Sequence, residues 1–247
     1  MSVPQKQIDE LLDILQSAEN TQMALQRICE IYQGGAVFST SFSEEDQVIL
    51  HFLSEINMPP SIFTLDTGRL FPETYSTWSR TREKYQLTIQ PYYPDHLVLQ
   101  EFIESRGPNS FYESVENRKS CCNIRKVEPL KRALKGKSLW ITGIRAEHSP
   151  DRHDMTPVEW DPANQIIKYH PLLHWNLSEV KTCIQAHDIP YNPLHDKGFV
   201  SIGCAPCTRA IQAGEDFRAG RWWWEDNKSK ECGLHVHQTM EKTDQAV

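Results

Sequence analysis

Residues 34–42 read Gly-Gly-Ala-Val-Phe-Ser-Thr-Ser-Phe and decide the fold prediction. The two glycines end a helical pattern, Ala-Val-Phe forms a short apolar strand, and hydroxyl side chains follow at once. An apolar strand that leads through a polar turn into a helix is typical of a parallel βαβ unit. The stretch therefore predicts an α/β protein in which Ser39, Thr40 and Ser41 stand where a strand ends, facing a phosphate or simply capping the next helix.

Strands and helices alternate on both sides of this stretch. Apolar residues recur every three or four positions over 5–33, which predicts helices that lie on a core. Further along, we expect helices over 47–54 and 72–85 and strands over 61–65, 87–90 and 137–144. The predicted fold class is α/β, with a mainly parallel sheet flanked by helices and ligand-binding loops at the carboxyl ends of the strands.

The chain has no clean linker, and we divide it by changes in composition. An N-terminal helical segment covers 1–33, an α/β domain covers 34–220, and a C-terminal tail covers 221–247. Trp222 to Trp224 are expected to anchor the tail on the domain. The remainder of the tail is expected to be mobile.

Composition excludes several classes of protein. The 247 residues carry a net charge of −7, which argues against non-specific binding to nucleic acid. No apolar run approaches the roughly 20 residues that a membrane helix needs. The N-terminus has acidic residues where a signal peptide is apolar, so we expect a cytoplasmic protein that does not enter a membrane.

Seven cysteines need an explanation, and their odd number does not suggest a disulfide framework. Cys204 and Cys207 form a C-x-x-C pair, and Cys121 and Cys122 are adjacent. Four thiolates in two pairs can hold zinc or an iron–sulfur cluster. Adjacent cysteines favour a larger cluster whose ligands attach to separate irons. The alternative is a core position for the first pair and a redox disulfide for the second.

Basic residues are concentrated around the first cysteine pair. Between 118 and 137 the chain has eight Lys or Arg residues and only Glu128 opposing them. Iron bound by four thiolates carries net negative charge, which nearby cations stabilise. Lys126 follows Cys122 by four positions, so on a helix it would face both a cluster and a substrate.

The C-terminal region contributes cations and a further thiol. Arg218 and Arg221 are three residues apart and suit the binding of an anion. Cys232 lies in a polar, glycine-containing segment that continues to His235, where a thiolate is well placed for nucleophilic attack. An incidental surface cysteine is the alternative. The histidines at 170, 174, 187 and 195 have no ligand spacing and are interpreted as structural.

Four stretches resemble the sulfonucleotide (PAPS/APS) reductase family, in its assimilatory branch that reduces adenosine 5′-phosphosulfate (APS). They are Lys-Ser-Cys-Cys-Asn-Ile-Arg-Lys at 119–126, Ser-Ile-Gly-Cys-Ala-Pro-Cys-Thr-Arg at 201–209, Arg-Ala-Gly-Arg-Trp-Trp-Trp-Glu at 218–225 and Glu-Cys-Gly-Leu-His at 231–235. Residues 65–75 are similar to the family's nucleotide loop. The first polar loop, at residues 39–46, departs from the family at one position. The family has a glycine where Ser43 or Glu44 stands here.

The resemblance implies a fold, a reaction and a cofactor. The fold would be adenine-nucleotide α-hydrolase-like, and the two cysteine pairs would hold a [4Fe–4S] cluster. Cys232 would attack the sulfur of APS, expel AMP and become an S-sulfocysteine, from which thioredoxin or glutaredoxin releases sulfite. The presence of all four cluster cysteines favours APS over its 3′-phosphorylated form, PAPS. Relatives also suggest a homo-oligomer.

The resemblance also assigns residues to the substrate. Lys126, Arg218, Arg221 and His235 would offset the charge of the phosphosulfate. Leu65 would line the adenine pocket, with Asp66 and Gly68 shaping its turn. Arg145 would meet the phosphate or sulfate, whereas surface ion pairs explain Arg69 and Arg152 equally well. Glu45 and Asp46 are expected to orient the first loop.

Three alternatives stay open at this point. One is a PAPS reductase of the same family. Another is a non-catalytic metal-cluster sensor of adenine nucleotides, which would need four cysteines and not a fifth at 232. A sulfur transferase related to ATP pyrophosphatases would need a Ser-Gly-Gly-x-Asp-Ser loop, which is missing.

Overall fold

The computed structural model describes residues 4–148, 152 and 154–225. The helices are α1 (Gln5–Ser17), α2 (Thr21–Ile31), α3 (Glu44–Ser54), α4 (Pro72–Tyr85), α5 (His96–Arg106), α6 (Val115–Cys122), α7 (Glu128–Leu134) and α8 (Leu177–Ala186). The strands are β1 (Ala36–Ser39), β2 (Ser61–Leu65), β3 (Ile89–Tyr92), β4 (Leu139–Ile141), β5 (Val158–Asp161) and β6 (Ile166–Tyr169). None of these helices has both the length and the apolar composition to cross a membrane.

The six strands form one sheet in the order β3-β2-β1-β4-β6-β5. Every neighbouring pair is parallel except β5 and β6, which are antiparallel at one edge. The prediction of a mainly parallel sheet is therefore confirmed. The chain extends the sheet in one direction from β1 to β3 and then returns to place β4 on the other side of β1. A crevice opens at such a reversal, at the carboxyl ends of β1 and β4.

Both faces of the sheet are buried. Successive side chains of β1 point to opposite sides of the sheet, and each side packs in a hydrophobic core. Phe38 packs in one core with Leu25 and Ile28 of α2 and with residues of α1, α3 and α8. Val37 packs on the other face with Trp140 and with residues of α7. The N-terminal helices therefore share a hydrophobic core with the central strand.

The predicted elements differ from the structure mainly at their boundaries. β2 and α4 have the predicted limits, whereas β3 begins at Ile89 because the left-handed Gln86 (φ 56°) ends the preceding helix. α3 begins at Glu44, three residues before the prediction, because the Ser43 side chain accepts a hydrogen bond from the Asp46 N–H. The sequence did not predict α5, which has no fully buried residue to produce a helical period.

The strand next to one edge of the sheet carries a buried lysine. Lys168 on β6 is 4% exposed, and its Nζ lies 2.9 Å from Asp161 Oδ2, 3.8 Å from Glu159 Oε1 and 5.2 Å from the centre of the Trp140 ring. Burial by itself raises the pKa of the Asp161 carboxyl. Hydrogen bonds from Asn164 and Lys168 outweigh burial and hold that pKa below its usual value. The pair thus stabilises the charged carboxylate in the folded state.

Replacing Asp161 by Asn should lower the free energy of unfolding by about 2–3 kcal/mol at pH 7, because Lys168 would lose its nearest counter-charge. A carboxyl whose folded pKa is depressed stabilises the fold above its unfolded pKa of about 4 and loses that contribution as pH falls through the folded pKa. The difference between wild type and Asp161→Asn should therefore shrink in denaturant titrations below about pH 4. Glu10→Gln, in an exposed pair 3.8 Å from Lys6, should change stability by less than about 0.5 kcal/mol. Equal effects of the two variants would contradict this account.

Candidate active site

A cavity of about 250 Å³ lies at the crevice between β1 and β4. Its lining combines the ends of three strands with basic residues from later in the chain. The residues predicted to bind substrate that the structure brings to it are Ser39, Thr40, Ser41, Leu65, Lys126, Arg218 and Arg221. Their placement agrees with the sequence analysis, while their roles stay predictions.

The first loop is held by a carboxylate inside the protein. Ser41 donates from its backbone N–H and from its hydroxyl to Asp46 Oδ2, at 2.6 and 2.8 Å. Trp140 Nε1 donates to Ser39 Oγ at 2.8 Å. Burial raises the pKa of Asp46 to about 6 even though the hydrogen bonds from Ser41 lower it. The donors of Ser41, which the sequence assigned to the phosphate side of a ligand, are therefore engaged by Asp46.

The loop after β2 is shaped as expected. Asp66 Oδ1 accepts hydrogen bonds from the Gly68 N–H and the Tyr75 hydroxyl, both at 2.9 Å. Gly68 has a φ of +69°, a conformation that favours glycine. Of the three predicted residues here, Leu65 lines the cavity, and Asp66 and Gly68 form the turn behind it.

Arg145 is not brought to the cavity. Its side chain is 2% exposed, and Nε lies 2.8 Å from Glu45 Oε1, while Nη1 contacts Glu147 and the Trp175 carbonyl. The expected contact with a phosphate or sulfate thus has no support in this geometry, because the guanidinium neutralises buried Glu45. Arg152 instead lines the cavity and is 7% exposed, so it is not a surface residue.

The four predicted cluster cysteines line one small cavity of about 20 Å³. Cys121 and Cys122 are the last residues of α6, and the chain continues as a π-helix over Asn123–Val127. Cys204 and Cys207 flank a short 3₁₀ turn. None of the six cysteines of the described ranges, these four among them, forms a disulfide, so the redox-disulfide alternative finds no support.

The thiols differ in their electrostatic environment. Burial raises the pKa of Cys204, but the charge of Lys126, a hydrogen bond with Thr67 and the charge of Arg221 together lower it below its usual value. Burial, with a smaller contribution from Cys204, raises the pKa of Cys207 to about 12. Burial also raises the pKa of Cys121 against the opposing charge of Arg125. The cavity therefore stabilises a thiolate best at Cys204.

Lys126 lines both cavities, as its spacing from Cys122 predicted. It belongs to the π-helical turn, a wider form of helix that occurs often at functional sites. One ammonium group is therefore shared between the wall of the nucleotide-sized cavity and the cavity of the cysteines.

A buried ion pair fixes the segment 221–225 beside the cysteines. Arg118 donates to both carboxylate oxygens of Glu225, at 2.8 and 2.9 Å, and its guanidinium lies 4.6 Å from the centre of the Trp222 ring. Trp222 is 1% exposed, and the Trp224 ring lies 4.4 Å from that of Tyr112. Trp222 and Trp224 therefore pack on the domain as expected, whereas Trp223 is 49% exposed.

Within 4–148, 152 and 154–225, no three His, Cys, Asp or Glu side chains are grouped so as to hold a single metal ion. The four thiols nevertheless surround one space, together with Arg69, Arg118, Arg125 and Lys126. Arg69, left open by the sequence, also lies 5.1 Å from the centre of the Phe111 ring. The predicted nucleophile Cys232 and its companion His235 lie outside the described residues.

Comparison with known proteins identifies the family. Residues 35–210 match the model of the phosphoadenosine phosphosulfate reductase domain, and the chain belongs to this family. An adenosine 5′-phosphosulfate reductase of Allochromatium vinosum is 49% identical over 81% of this chain and 78% of that protein. One of the same name from Burkholderia cepacia is 48% identical over 81% and 80%.

Solved structures agree on the fold. The phosphoadenylyl-sulfate (PAPS) reductase of Candida auris, in a phosphate complex, matches with a TM-score of 0.71 and 29% identity over 85% of this chain and 99% of that chain. The FMN adenylyltransferase of Candida glabrata matches with a TM-score of 0.52 and 17% identity over 92% and 76%, which shows similarity of fold alone. The predicted adenine-nucleotide α-hydrolase-like fold is confirmed.

Sequence reasoning missed part of the cavity lining. His195, interpreted as structural, lines the cavity together with Thr142 and Gly143, which follow β4. Thr142 and Gly143 lie near the end of the strand predicted over 137–144, and that position was a usable signal. His195 comes from a 3₁₀ turn in a long connection without periodicity, so no local signal marked it.

Replacing Arg145 by Met should lower the free energy of unfolding by about 3–5 kcal/mol, because Glu45 would be left buried without its partner. The double variant Arg145→Met/Glu45→Gln should recover much of that loss. Chemical denaturation of the two single variants and the double variant measures the coupling. Unchanged stability together with lost nucleotide binding would show that Arg145 serves the ligand.

Proposed function

We propose that this protein reduces adenosine 5′-phosphosulfate to sulfite and AMP in sulfate assimilation. The proposal rests on one observation. Lys126 lines both the nucleotide-sized cavity and the small cavity that is lined by the four cysteines. Its relatives at 44–49% identity carry the name adenosine 5′-phosphosulfate reductase. A PAPS reductase is the second candidate, favoured by the structural match at 29% identity.

The cations of the cavity suit a phosphosulfate. The sulfur that must be attacked carries anionic oxygens, which repel a thiolate unless their charge is offset. Lys126, Arg218 and Arg221 lie in the cavity lining, and Lys126 and Arg221 are close enough to the cysteines to lower the pKa of Cys204. The phosphosulfate would therefore bind at the end of the cavity nearest the cysteines, with His235 added from the tail.

Cys121, Cys122, Cys204 and Cys207 would hold a [4Fe–4S] cluster. Support comes from four cysteines that line one space without forming disulfides, from the arginines and the lysine at its wall, and from adjacent cysteines that suit ligands on separate irons. When bound, the cluster would supply a fixed charge beside the substrate and tie the two cysteine pairs together. Arg125 and Lys126 would then act as counter-charges.

The reaction assigned to Cys232 balances in two steps. Its thiolate forms a bond to the sulfur of APS, the bond from that sulfur to the phosphate oxygen breaks, and AMP leaves with the electron pair. The second step has two parts: one thiolate of a thioredoxin or glutaredoxin dithiol attacks the Sγ of the resulting S-sulfocysteine, and sulfite leaves with the electron pair of the S–S bond, so that a mixed disulfide with Cys232 forms. The second thiol of the reductant then attacks the reductant's own sulfur in that mixed disulfide, which frees the Cys232 thiolate and leaves the reductant as a disulfide. Both the external reductant and a homo-oligomer stay predictions.

Incubation of the protein with APS, without a reductant, should add the mass of one SO₃ group to the peptide that contains Cys232 and release one AMP per modified chain. Cys232→Ser should bind APS without forming the adduct, since it lacks the thiolate. Mass spectrometry of the digested protein measures the modification, with Cys183→Ser as a matched cysteine control. Sulfite release by Cys232→Ser at the wild-type rate would refute the role of this thiol.

Protein purified anaerobically should contain about four irons per chain and absorb visible light as an iron–sulfur protein does. Cys121→Ser should lose most of that iron, because one ligand of the cluster is removed. Cys183→Ser should retain it, because this half-buried cysteine lies on α8, away from the four thiols. Colourless protein that contains a single zinc would contradict the proposed cluster, but it would not contradict the geometry described for the cavity.

A further inference from the structure

Three aromatic side chains form a continuous surface beside the turn of Cys204 and Cys207. Tyr112 is 42% exposed and Trp223 is 49% exposed. The half-buried Trp224 joins them, because its ring centre lies 4.4 Å from that of Tyr112 and 5.7 Å from that of Trp223. We call these three residues the aromatic patch. Contiguous exposed apolar side chains mark interaction sites, and Trp and Tyr are enriched among the residues that dominate binding energy.

Hydrogen bonds fix this patch to the turn of the cysteines. The Trp222 N–H donates to the Cys207 carbonyl at 3.2 Å, and the Tyr112 hydroxyl donates to the Pro206 carbonyl at 2.8 Å. Trp222 has a φ of 41°, a left-handed conformation that is uncommon for residues other than glycine. Its ring is buried, whereas the next ring, that of Trp223, is exposed. The exposure of Trp223 thus comes from a constrained turn.

The sequence directly after the patch has no apolar side chain with which to cover it. Residues 226–231 read Asp-Asn-Lys-Ser-Lys-Glu, and Cys232 follows them. Arg118 holds Glu225 at 2.8 Å, and seven residues of chain from there keep the Cys232 backbone within about 25 Å of this ion pair. A protein that reacts with the Cys232 thiol must therefore approach the domain close to the aromatic patch.

A reductant that acts on Cys232 needs a docking surface of this kind. Its thiolate must reach the Sγ of an S-sulfocysteine, whose sulfonate is an anion and repels it. Arg118 and Glu225 neutralise each other next to the patch, which thus offers contact with aromatic rings and not attraction between charges. Redox partners that associate transiently bury small interfaces, and a few aromatic side chains can supply most of the affinity.

We propose that the aromatic patch is the docking surface for the dithiol protein of the thioredoxin type that reduces the S-sulfocysteine at Cys232. The proposal rests on the function proposed above and deepens it by placing the partner. The reductant would cover Tyr112 and Trp223 with the uncharged surface beside its reactive thiol, while residues 226–231 present Cys232 to it. A second copy of this chain and the remainder of the tail are the other occupants that the experiment distinguishes.

Separate measurement of the two half-reactions tests this surface. The full chain is first converted to its S-sulfo form with APS. Sulfite release is then measured with reduced thioredoxin, with reduced glutaredoxin and with dithiothreitol, which is small and needs no docking surface. Trp223→Ala removes the most exposed ring of the patch. Met58→Ala is the matched control, because Met58 is also 49% exposed but precedes β2, at the end of the sheet opposite the crevice.

Trp223→Ala should raise the concentration of protein reductant that gives half-maximal sulfite release by at least about tenfold, because a large aromatic side chain is removed from the interface. Adduct formation and release by dithiothreitol should stay unchanged, as should all of these reactions in Met58→Ala. An equal loss with dithiothreitol and with the protein reductant would show that Trp223 supports the tail, and it would overturn the proposal.

Three further results would overturn the proposal. One is a Trp223→Ala variant that uses the protein reductant as wild type does. Another is the same result together with dissociation of an oligomer in light scattering, which would assign the patch to a second copy of the chain. The third is a wild type from which dithiothreitol, but neither protein reductant, releases sulfite.

A trapped complex of the wild-type chain gives a second test, which does not require a variant of this protein to fold. The protein that releases sulfite from wild type is prepared with its second cysteine replaced by serine. It attacks Sγ, expels sulfite and stays bound to Cys232 as a mixed disulfide. Oxidative footprinting should show that Trp223 and Tyr112 are protected in this complex, while Met58 stays reactive. Unprotected rings would contradict the docking surface.

Failure of this inference is distinguishable from failure of the proposed function. A wild type that forms the Cys232 adduct, and whose reductant does not depend on Trp223, would keep its function and lose the docking surface. A wild type that forms no adduct with APS would lose the function, and the inference with it, because no S-sulfocysteine would be present to reduce.

Discussion

The reversal of chain direction between β1 and β4 is the constraint on which the site depends. Two adjacent parallel strands whose following loops diverge must leave a crevice at their carboxyl ends. In this protein the hydroxyl-rich loop after Ser39 and the Thr142–Gly143 turn form the two sides of that crevice. Segments from the last third of the chain then complete it, since Ser201–Gly203 and Arg218–Arg221 lie across its opening.

Buried charge is handled in two distinct ways around this crevice. Arg145 and Glu45 form a direct ion pair, as do Lys168 and Asp161, and such pairs leave little net charge for a ligand. Asp46 is held instead by neutral donors. Neutral donors do not cancel the negative charge of this carboxylate. Asp46 therefore affects the electrostatic potential of the cavity as well as holding the loop.

The sequence could predict those features that repeat locally. The strand at 61–65 and the helix at 72–85 have their predicted limits, because apolar alternation and a proline at the start of the helix mark them. Each of the two cysteine pairs was visible in its own short segment, and the position of Lys126 followed from its spacing to Cys122. The ion pair that holds Arg145 was not predicted, because its partner, Glu45, is 100 residues away in the sequence. No local pattern encodes such a contact. In the same way, no local pattern marks His195 as part of the cavity lining.

Because Lys126 lines both cavities, the electrostatic environment of one cannot change independently of the other. The ammonium that favours a thiolate at Cys204 is the one that faces the nucleotide cavity. A dianion in that cavity would offset the positive charge of Lys126. The thiolate forms of the cysteines would then be less stable unless other cations compensate. Arg221 and Arg125 also act on Cys204, and Arg221 lines the nucleotide cavity as well. The same cations therefore act on both cavities, and they would balance an anion bound in either one.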